Sequence, residues 1–243
     1  MVLENQIDKN NLPKHIGIIM DGNGRWAQKR LKPRLFGHKA GMESLRKIIR
    51  TSSDLGINIL TVYAFSTENW KRPKAEVDGL MKLLVDYFNK EIHELNKNKV
   101  KIKILGQVEL LPHNVKKTVV DAMNLTNDNL GLQLNIAINY GGRDEIIMGI
   151  KQLYKDLINE TTHIDTIDET LFSQYLYTKG MKDPDLIIRT SGELRTSNFL
   201  TWQSAYSELW FTDVLWPDFT HEEYYQAIWD YQKRKRKYGG LKI

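Results

Sequence analysis

The sequence contains no cysteine. Disulfides, thiolate zinc sites and a cysteine nucleophile are therefore excluded, which suits a reducing compartment. No run of about 18 apolar residues occurs, so no membrane-spanning helix is expected. Met1 to Asn11 are polar and mixed in charge, without the apolar core of a signal peptide. No Gly/Ser/Pro-rich linker divides the 243 residues. One domain is expected over 14–243, preceded by a flexible N-terminal segment, 1–13. A Gly-x-x-x-x-Gly-Lys-Ser/Thr loop is absent, and Gly22-Asn23-Gly24 lacks the third glycine of a dinucleotide fingerprint. Neither a Ser/His/Asp set nor a histidine pair at metal spacing is present.

A surplus of one charge sign is also missing outside one segment. The net charge is +5, with 35 basic and 30 acidic residues. Removing Lys233-Arg234-Lys235-Arg236-Lys237 leaves 30 of each sign. Such a block is most often a solvated face or tail, with anionic lipid the alternative. No nucleic-acid partner is expected.

What is present is alternation. Apolar runs at 16–20, 57–65, 100–105, 132–138, 186–188 and 209–211 read as six strands. Helical segments are expected near 40–55, 74–98, 112–127, 143–159, 168–178 and 221–236. In the second, Val77, Leu80, Met81, Leu84, Phe88, Ile92 and Leu95 form one stripe. Strand–helix alternation implies an α/β fold with a central, mainly parallel sheet flanked by helices.

The run Ile16–Met20 leads directly into Asp21-Gly22-Asn23-Gly24-Arg25-Trp26. In open α/β sheets ligands bind at the carboxyl ends of strands. These six residues, read as a loop, offer a carboxylate for a metal, two glycines for close amide approach, and an arginine. Asp-Gly and Asn-Gly are also plain turn dipeptides. Other strand ends repeat the pattern, with Ser66-Thr67-Glu68-Asn69-Trp70-Lys71-Arg72, Asn139-Tyr140-Gly141-Gly142-Arg143, and Arg189 to Asn198. One rim then gathers Arg25, Arg72, Arg189 and Arg195 around Asp21, with Arg34 and His38 close behind. Pooled arginines repel one another without an anion, and their fork suits phosphate. The reading is a diphosphate site. Singly, each arginine reads as a surface ion pair and His38 as a structural histidine.

These residues carry a resemblance. The stretches His15–Ala27, Gly37–Gly41, Tyr63–Trp70 with Arg72-Pro73, Asn135–Arg143, Pro184–Glu193, Ser197–Leu200 and Glu208 to Pro217 resemble the cis-prenyltransferases, specifically bacterial undecaprenyl diphosphate synthases. The resemblance spans about residues 14 to 240. It implies a single α/β domain with an apolar tunnel, working as a homodimer in the cytoplasm with transient membrane contact for product release. It implies repeated condensation of isopentenyl diphosphate onto an allylic diphosphate such as farnesyl diphosphate, with Z geometry and Mg2+. Undecaprenyl diphosphate, a cell-wall lipid-carrier precursor, is the implied product, and a shorter or longer Z-polyprenyl chain is the alternative.

By resemblance, Asp21 and Glu208 bind the metal and Asn69 takes part in proton removal. Gly22, Asn23, Gly24 and Arg25 hold the allylic diphosphate, with Trp26, Arg34 and His38 nearby. Ser66, Thr67, Glu68, Trp70 and Arg72 match further substrate-binding positions. Arg189, Arg195, Thr196 and Ser197 match those for isopentenyl diphosphate. The family's closing Arg-x-Gly is met here by Lys237-Tyr238-Gly239, where lysine keeps the charge but loses the fork. A neutral amide is too weak a base, so Asn69 is expected to position or relay while a diphosphate oxygen takes the proton.

A growing chain needs apolar walls, for which Leu80, Leu84, Phe88 and Leu132 are candidates, with Trp26, Trp70 and Phe65 at the mouth. Core packing is the alternative for each. Two rival functions are a magnesium-dependent phosphohydrolase on the same rim and a non-catalytic partner subunit. The presence of Asp21, Asn69 and Glu208 argues against the second.

Overall fold

The computed structural model describes residues 3–235. Six strands form one sheet: β1 (His15–Ile19), β2 (Ile59–Ser66), β3 (Lys101–Leu105), β4 (Gln133–Tyr140), β5 (Leu186–Arg189) and β6 (Glu208–Phe211). Their order is β3-β4-β2-β1-β5-β6, and every pair is parallel. Seven α-helices connect and cover them: α1 (Asn23–Gln28), α2 (Arg34–Leu55), α3 (Lys74–Lys97), α4 (His113–Leu125), α5 (Gly142–Ile158), α6 (Glu169–Ser173) and α7 (His221–Lys233).

Strand parity sorts the core. Ile16, Ile18, Leu60, Val62, Ile102, Leu134, Ile136 and Ile188 join Leu45, Phe88, Val115 and Ile228 from four helices in the larger apolar cluster. Ile19, Ala137, Tyr140 and Ile187 face the other way, against Phe199 and Leu200. Both faces are thus covered, which is why the strands read as near-continuous apolar runs.

Two expectations shift. The stretch after β1 is not all loop: Gly22, at φ 101°, caps α1. A Cβ on Gly22 would meet Leu215 and Ser191 at 2.9 and 3.0 Å, so the tight entry also needs glycine. The helix expected at 168–178 is only the five residues of α6. In the N-terminal segment, residues 3–6 and 9–11 form 3-10 turns, and Ile7 is buried. Gln232 on α7 donates to the carbonyls of Asp8 and Asn11 there.

Candidate active site at the strand-end rim

The carboxyl ends of β1, β2 and β5 meet in register, with Ile19 level with both Tyr63 and Arg189. The residues just past these ends therefore converge. Asp21 is held by its backbone: its N–H donates to Thr190 Oγ1, and its carbonyl accepts from Thr190 Oγ1 and from the Trp216 N–H. Its carboxylate accepts from Arg189 Nη2 at 2.9 Å and from the Gly22 N–H at 2.6 Å, with Arg25 Nη2 3.4 Å away. Burial raises this carboxyl, but the hydrogen bond and charge of Arg189, the Gly22 N–H and Arg25 together hold it below the usual carboxylate range. Asp21 is ionised, and about a third of its side chain stays exposed.

Arg189 is the buried centre of the cluster, with only 4% of its surface exposed. Its Nη1 donates to the Arg195 carbonyl and to Ser197 Oγ at 2.6 Å. The segment after β5 is shaped for this, since Ser191, Gly192, Ser197, Asn198 and Leu200 all have positive φ. Such strain in non-glycine residues persists where surroundings impose it, often at functional sites. Asn198 locks the segment to two other strand ends. It donates to Glu68 Oε1 at 2.9 Å, and its Oδ1 accepts the Arg143 N–H at 2.8 Å.

Around β2's end, Ser66 and Asn69 form a reciprocal capping box. Asn69 Oδ1 accepts the Ser66 N–H at 3.1 Å. Thr67 donates to Glu68, and Trp70 Nε1 donates to Asn139 Oδ1 at 2.7 Å. Arg34 and Arg72 share Glu76 Oε1, at 3.3 and 3.0 Å. The Arg34 guanidinium lies against Gly24, where a Cβ would come within 2.7 Å of it. His38 Nε2 is buried without a hydrogen-bond partner. Burial and then the Arg72 charge push this imidazole down to about 4, so it is neutral.

These groups open into a cleft of about 620 Å³. Asp21, Asn23, His38, Ser66, Glu68, Asn69, Arg72, Arg189, Arg195 and Ser197 supply its polar lining. Met42, Leu45, Leu80, Met81, Leu84 and Ile136 supply apolar lining to the same cleft. Leu80, Leu84 and Phe65 line it as expected, whereas Phe88 and Leu132 lie in the core and Trp26 and Trp70 are off its wall. Trp26 instead stacks on Phe36 and donates to Asp218. Gly22, Gly24, Arg25, Arg34, Thr67 and Thr196 lie behind or beside the wall; Arg25 reaches Asp21 all the same.

Glu208 stands apart from Asp21 within this chain. It begins β6, level with Leu186 and hence with Ile16, five residues before Asp21. Five strand residues span about 16 Å, so a parallel register puts Glu208 at the opposite rim from Asp21 within this chain. There it accepts from Arg234 at 2.7 Å. The repulsion expected among the arginines is also relieved internally. Glu76 serves Arg34 and Arg72, and Glu193 serves Arg25 at 3.4 Å and Arg195. Glu76 was findable from its four-residue spacing to Arg72. Glu193 and Asn198 were not, because irregular loop geometry brings them in. Of the basic block, Lys233 lies over the Trp229 ring, while Arg236, Lys237 and the Lys237-Tyr238-Gly239 stretch lie outside the described residues.

Known proteins share this sequence and fold. The Prenyltransf family model, undecaprenyl diphosphate synthase, matches residues 19–239. The isoprenyl transferase of Clostridium tetani is 54% identical over 236 residues, 97% of this chain and 92% of that protein. That of Geobacillus kaustophilus is 51% identical over 240 residues, 99% of this chain and 93% of that protein. Lavandulyl diphosphate synthase from Lavandula x intermedia, solved with dimethylallyl diphosphate, superposes with a TM-score of 0.93 at 34% identity, covering 95% of this chain and 100% of that one. A structure described as a probable undecaprenyl diphosphate synthase from Campylobacter jejuni gives 0.78 at 31% identity, with the same coverage. The chain belongs to the undecaprenyl diphosphate synthase family, the cis-prenyltransferases, and is a transferase of prenyl groups that elongates cis-prenyl chains.

Proposed function

We propose that this enzyme condenses isopentenyl diphosphate units onto an allylic diphosphate such as farnesyl diphosphate, with Z geometry and Mg2+, to make undecaprenyl diphosphate. The observation that carries the reading is the mixed lining of one cleft: an ionised carboxylate and arginines together with Met42, Leu45, Leu80, Met81, Leu84 and Ile136. A phosphohydrolase has no use for the apolar lining. A related fold holding dimethylallyl diphosphate supports an allylic diphosphate here.

The donor set fits magnesium in one mode. No cluster of three or more His, Asp or Glu residues able to hold a metal occurs among the described residues. Asp21 and Glu68 both bring an ionised carboxylate to the cleft, and of the two Asp21 is the one seated between Arg189 and Arg25. Magnesium bound by one carboxylate plus substrate phosphates and water matches that supply. When bound, the ion would neutralise charge on the departing diphosphate.

The chain's own residues do the rest. The Gly22–Gly24 amides, Arg25, Arg34 and neutral His38 receive the allylic diphosphate beside Asp21. Arg189, Arg195 and Ser197 receive the isopentenyl diphosphate. As the allylic C–O bond breaks, fixed guanidinium groups stabilise the charge on the leaving oxygen. The isopentenyl double bond forms the new C–C bond, and one proton leaves to a diphosphate oxygen. Asn69 is not the base: its Oδ1 is engaged by Ser66 N–H, and its remaining amide group is a donor. It positions the loop that faces the substrate. The apolar end takes the prenyl tail. Burying CH₂ groups is worth about 0.8 kcal/mol each, so one five-carbon unit contributes at most about 4 kcal/mol.

The proposal includes a homodimer whose contact face is α5. Ile147, Ile150, Tyr154 and Ile158 form an exposed stripe at helical spacing, 48% to 62% accessible. Contiguous exposed apolar surface of this kind marks an interaction face. No described helix is long and apolar enough to cross a membrane. Release at the membrane from a cytoplasmic enzyme is part of the proposal.

The test is incubation with farnesyl diphosphate, labelled isopentenyl diphosphate and Mg2+, followed by chromatography of the lipid products. Labelled long-chain Z-prenyl diphosphate supports the reading. Phosphate release without carbon–carbon bond formation would support the hydrolase.

A further inference from the structure

The turn between α1 and α2 holds a leucine where the fold gives it nothing in return. Two backbone bonds close α1: the Leu31 N–H donates to the Gln28 carbonyl at 3.0 Å, and the Lys32 N–H to the Ala27 carbonyl at 2.9 Å. This is a Schellman ending, whose left-handed position is usually glycine. Here that position is Leu31, at φ 53° and 96% exposed. Leucine is strained in this conformation and buries no surface to offset the strain. An outlier of this kind points to a role beyond folding.

Leu31 has apolar and basic company. Phe36, 47% exposed, stacks on Trp26 with ring centroids 6.0 Å apart. Arg30 lies over the Trp26 ring at 3.9 Å, and Lys32 over the Phe36 ring at 6.0 Å. Residues 28–34 are exposed without a break and include Lys29, Arg30, Lys32 and Arg34 but no acid. Arg30 pairs with Asp218 at 3.5 Å and Arg34 with Glu76 at 3.3 Å. Lys29 and Lys32 have no acidic partner among the described residues. Apolar tips inside a basic collar suit the headgroup layer of an anionic bilayer: leucine and rings enter the acyl boundary while the charged ends stay at the phosphates. Protein contacts are poor in lysine and take about 20–30 residues a side, more than this turn offers.

We propose that the turn at 28–36 docks the enzyme on an anionic lipid bilayer, with Leu31 and Phe36 entering it between Lys29, Arg30 and Lys32. The turn is close to the site. The six residues of α1, about 9 Å long, separate it from Gly22. Arg34, at the end of the exposed run, lies against Gly24. Docking through this turn brings the diphosphate-binding residues near headgroup level, so a lipid diphosphate leaves the cleft into the bilayer without crossing water.

The purpose of docking rests on the elongation reading above, but docking itself is measured without substrate. Wild type, Leu31→Gly and a Lys29→Gln, Lys32→Gln double variant are each sedimented with vesicles of phosphatidylcholine alone, or of phosphatidylcholine and phosphatidylglycerol in equal parts. Wild type is expected to bind the anionic vesicles, and to bind neutral ones, or anionic ones in high salt, at least about tenfold more weakly. Each variant is expected to bind anionic vesicles about tenfold more weakly than wild type. Glycine suits the left-handed turn, so Leu31→Gly should melt no lower than wild type; if it does, the lysine variant decides. Both variants should elongate at the wild-type rate in detergent. Undiminished binding by both variants, as docking through the basic block at 233–237 would give, overturns the proposal. So does a wild type that ignores anionic vesicles, including one whose self-association is lost in Leu31→Gly, which would give the turn to a second copy. Either result leaves elongation standing. No elongation by the wild type overturns the elongation reading and not the docking.

Discussion

Gly37→Ala is expected to damage catalysis far more than stability. Gly37 lies on α2 where it crosses α1, and a Cβ there would sit 1.9 Å from the Asn23 carbonyl oxygen. Carbon and oxygen approach comfortably at about 3.3 Å, so the helices must part by about 1.4 Å. The displaced backbone is α1, which carries Asn23 and Arg25 and follows directly on Asp21. A misplacement of about 1 Å can cost about 100-fold in rate, equivalent to about 2.7 kcal/mol of transition-state stabilisation. Stability changes less. Overpacking costs about 1–3 kcal/mol, and replacing a mid-helix glycine by alanine returns about 1 kcal/mol. Gly56→Ala is the control. Nothing lies within 4 Å of its Cβ, but its φ is +84°, so it is expected to lose about 1–2 kcal/mol of stability and no activity. The assay is kcat/KM for elongation beside thermal melts of both variants. Gly37→Ala within threefold of wild-type kcat/KM would refute the reasoning that α1–α2 spacing sets the site.

Other outcomes follow from single residues. His15 Nδ1 donates to the Lys182 carbonyl at 2.6 Å, leaving Nε2 to accept from Thr61 at 2.7 Å, so the folded state holds a neutral ring. Burial pushes its pKa down to about 4, the Lys182 carbonyl opposing. Between pH 6.5 and 4 the unfolded chain therefore binds the extra proton, and stability falls as pH drops through that window, by about 3 kcal/mol in all. Urea unfolding at pH 7 and pH 4.5 should show wild type losing about 2–3 kcal/mol more than His15→Asn; equal losses would contradict the assignment. Asn69→Ala should lower kcat about 10- to 100-fold with little change in KM, while Asn69→Asp, which still accepts from Ser66, retains more rate. A loss of affinity in proportion to rate would remove Asn69 from the chemistry.

Much of this was legible in the sequence, for definite reasons. Parallel strands covered on both faces leave long apolar runs, so all six were found to within two residues. Strand ends collect polar residues, so the rim with Asp21, Arg72 and Arg189 was readable before any coordinate. Periodicity reports which side of a helix is buried but not what it is buried against. Phe88 and Leu84 belong to one stripe, yet Leu84 lines the cleft and Phe88 packs in the core. Register was equally silent in the sequence, and it carries Glu208 to the far rim. The α1 helix was hidden because Asp-Gly-Asn-Gly spells a turn, and only packing against α2 continues it as a helix. Glu193 and Asn198 depend on left-handed backbone in the segment after β5, which no pattern of residue types announces.

The most direct measurement is the elongation rate of Asp21→Ala, with farnesyl diphosphate, labelled isopentenyl diphosphate and saturating Mg2+, on protein whose circular dichroism matches wild type. If an ionised carboxylate seated among arginines organises the diphosphate, the rate should fall about 10³-fold. Undiminished elongation by this variant would contradict the account.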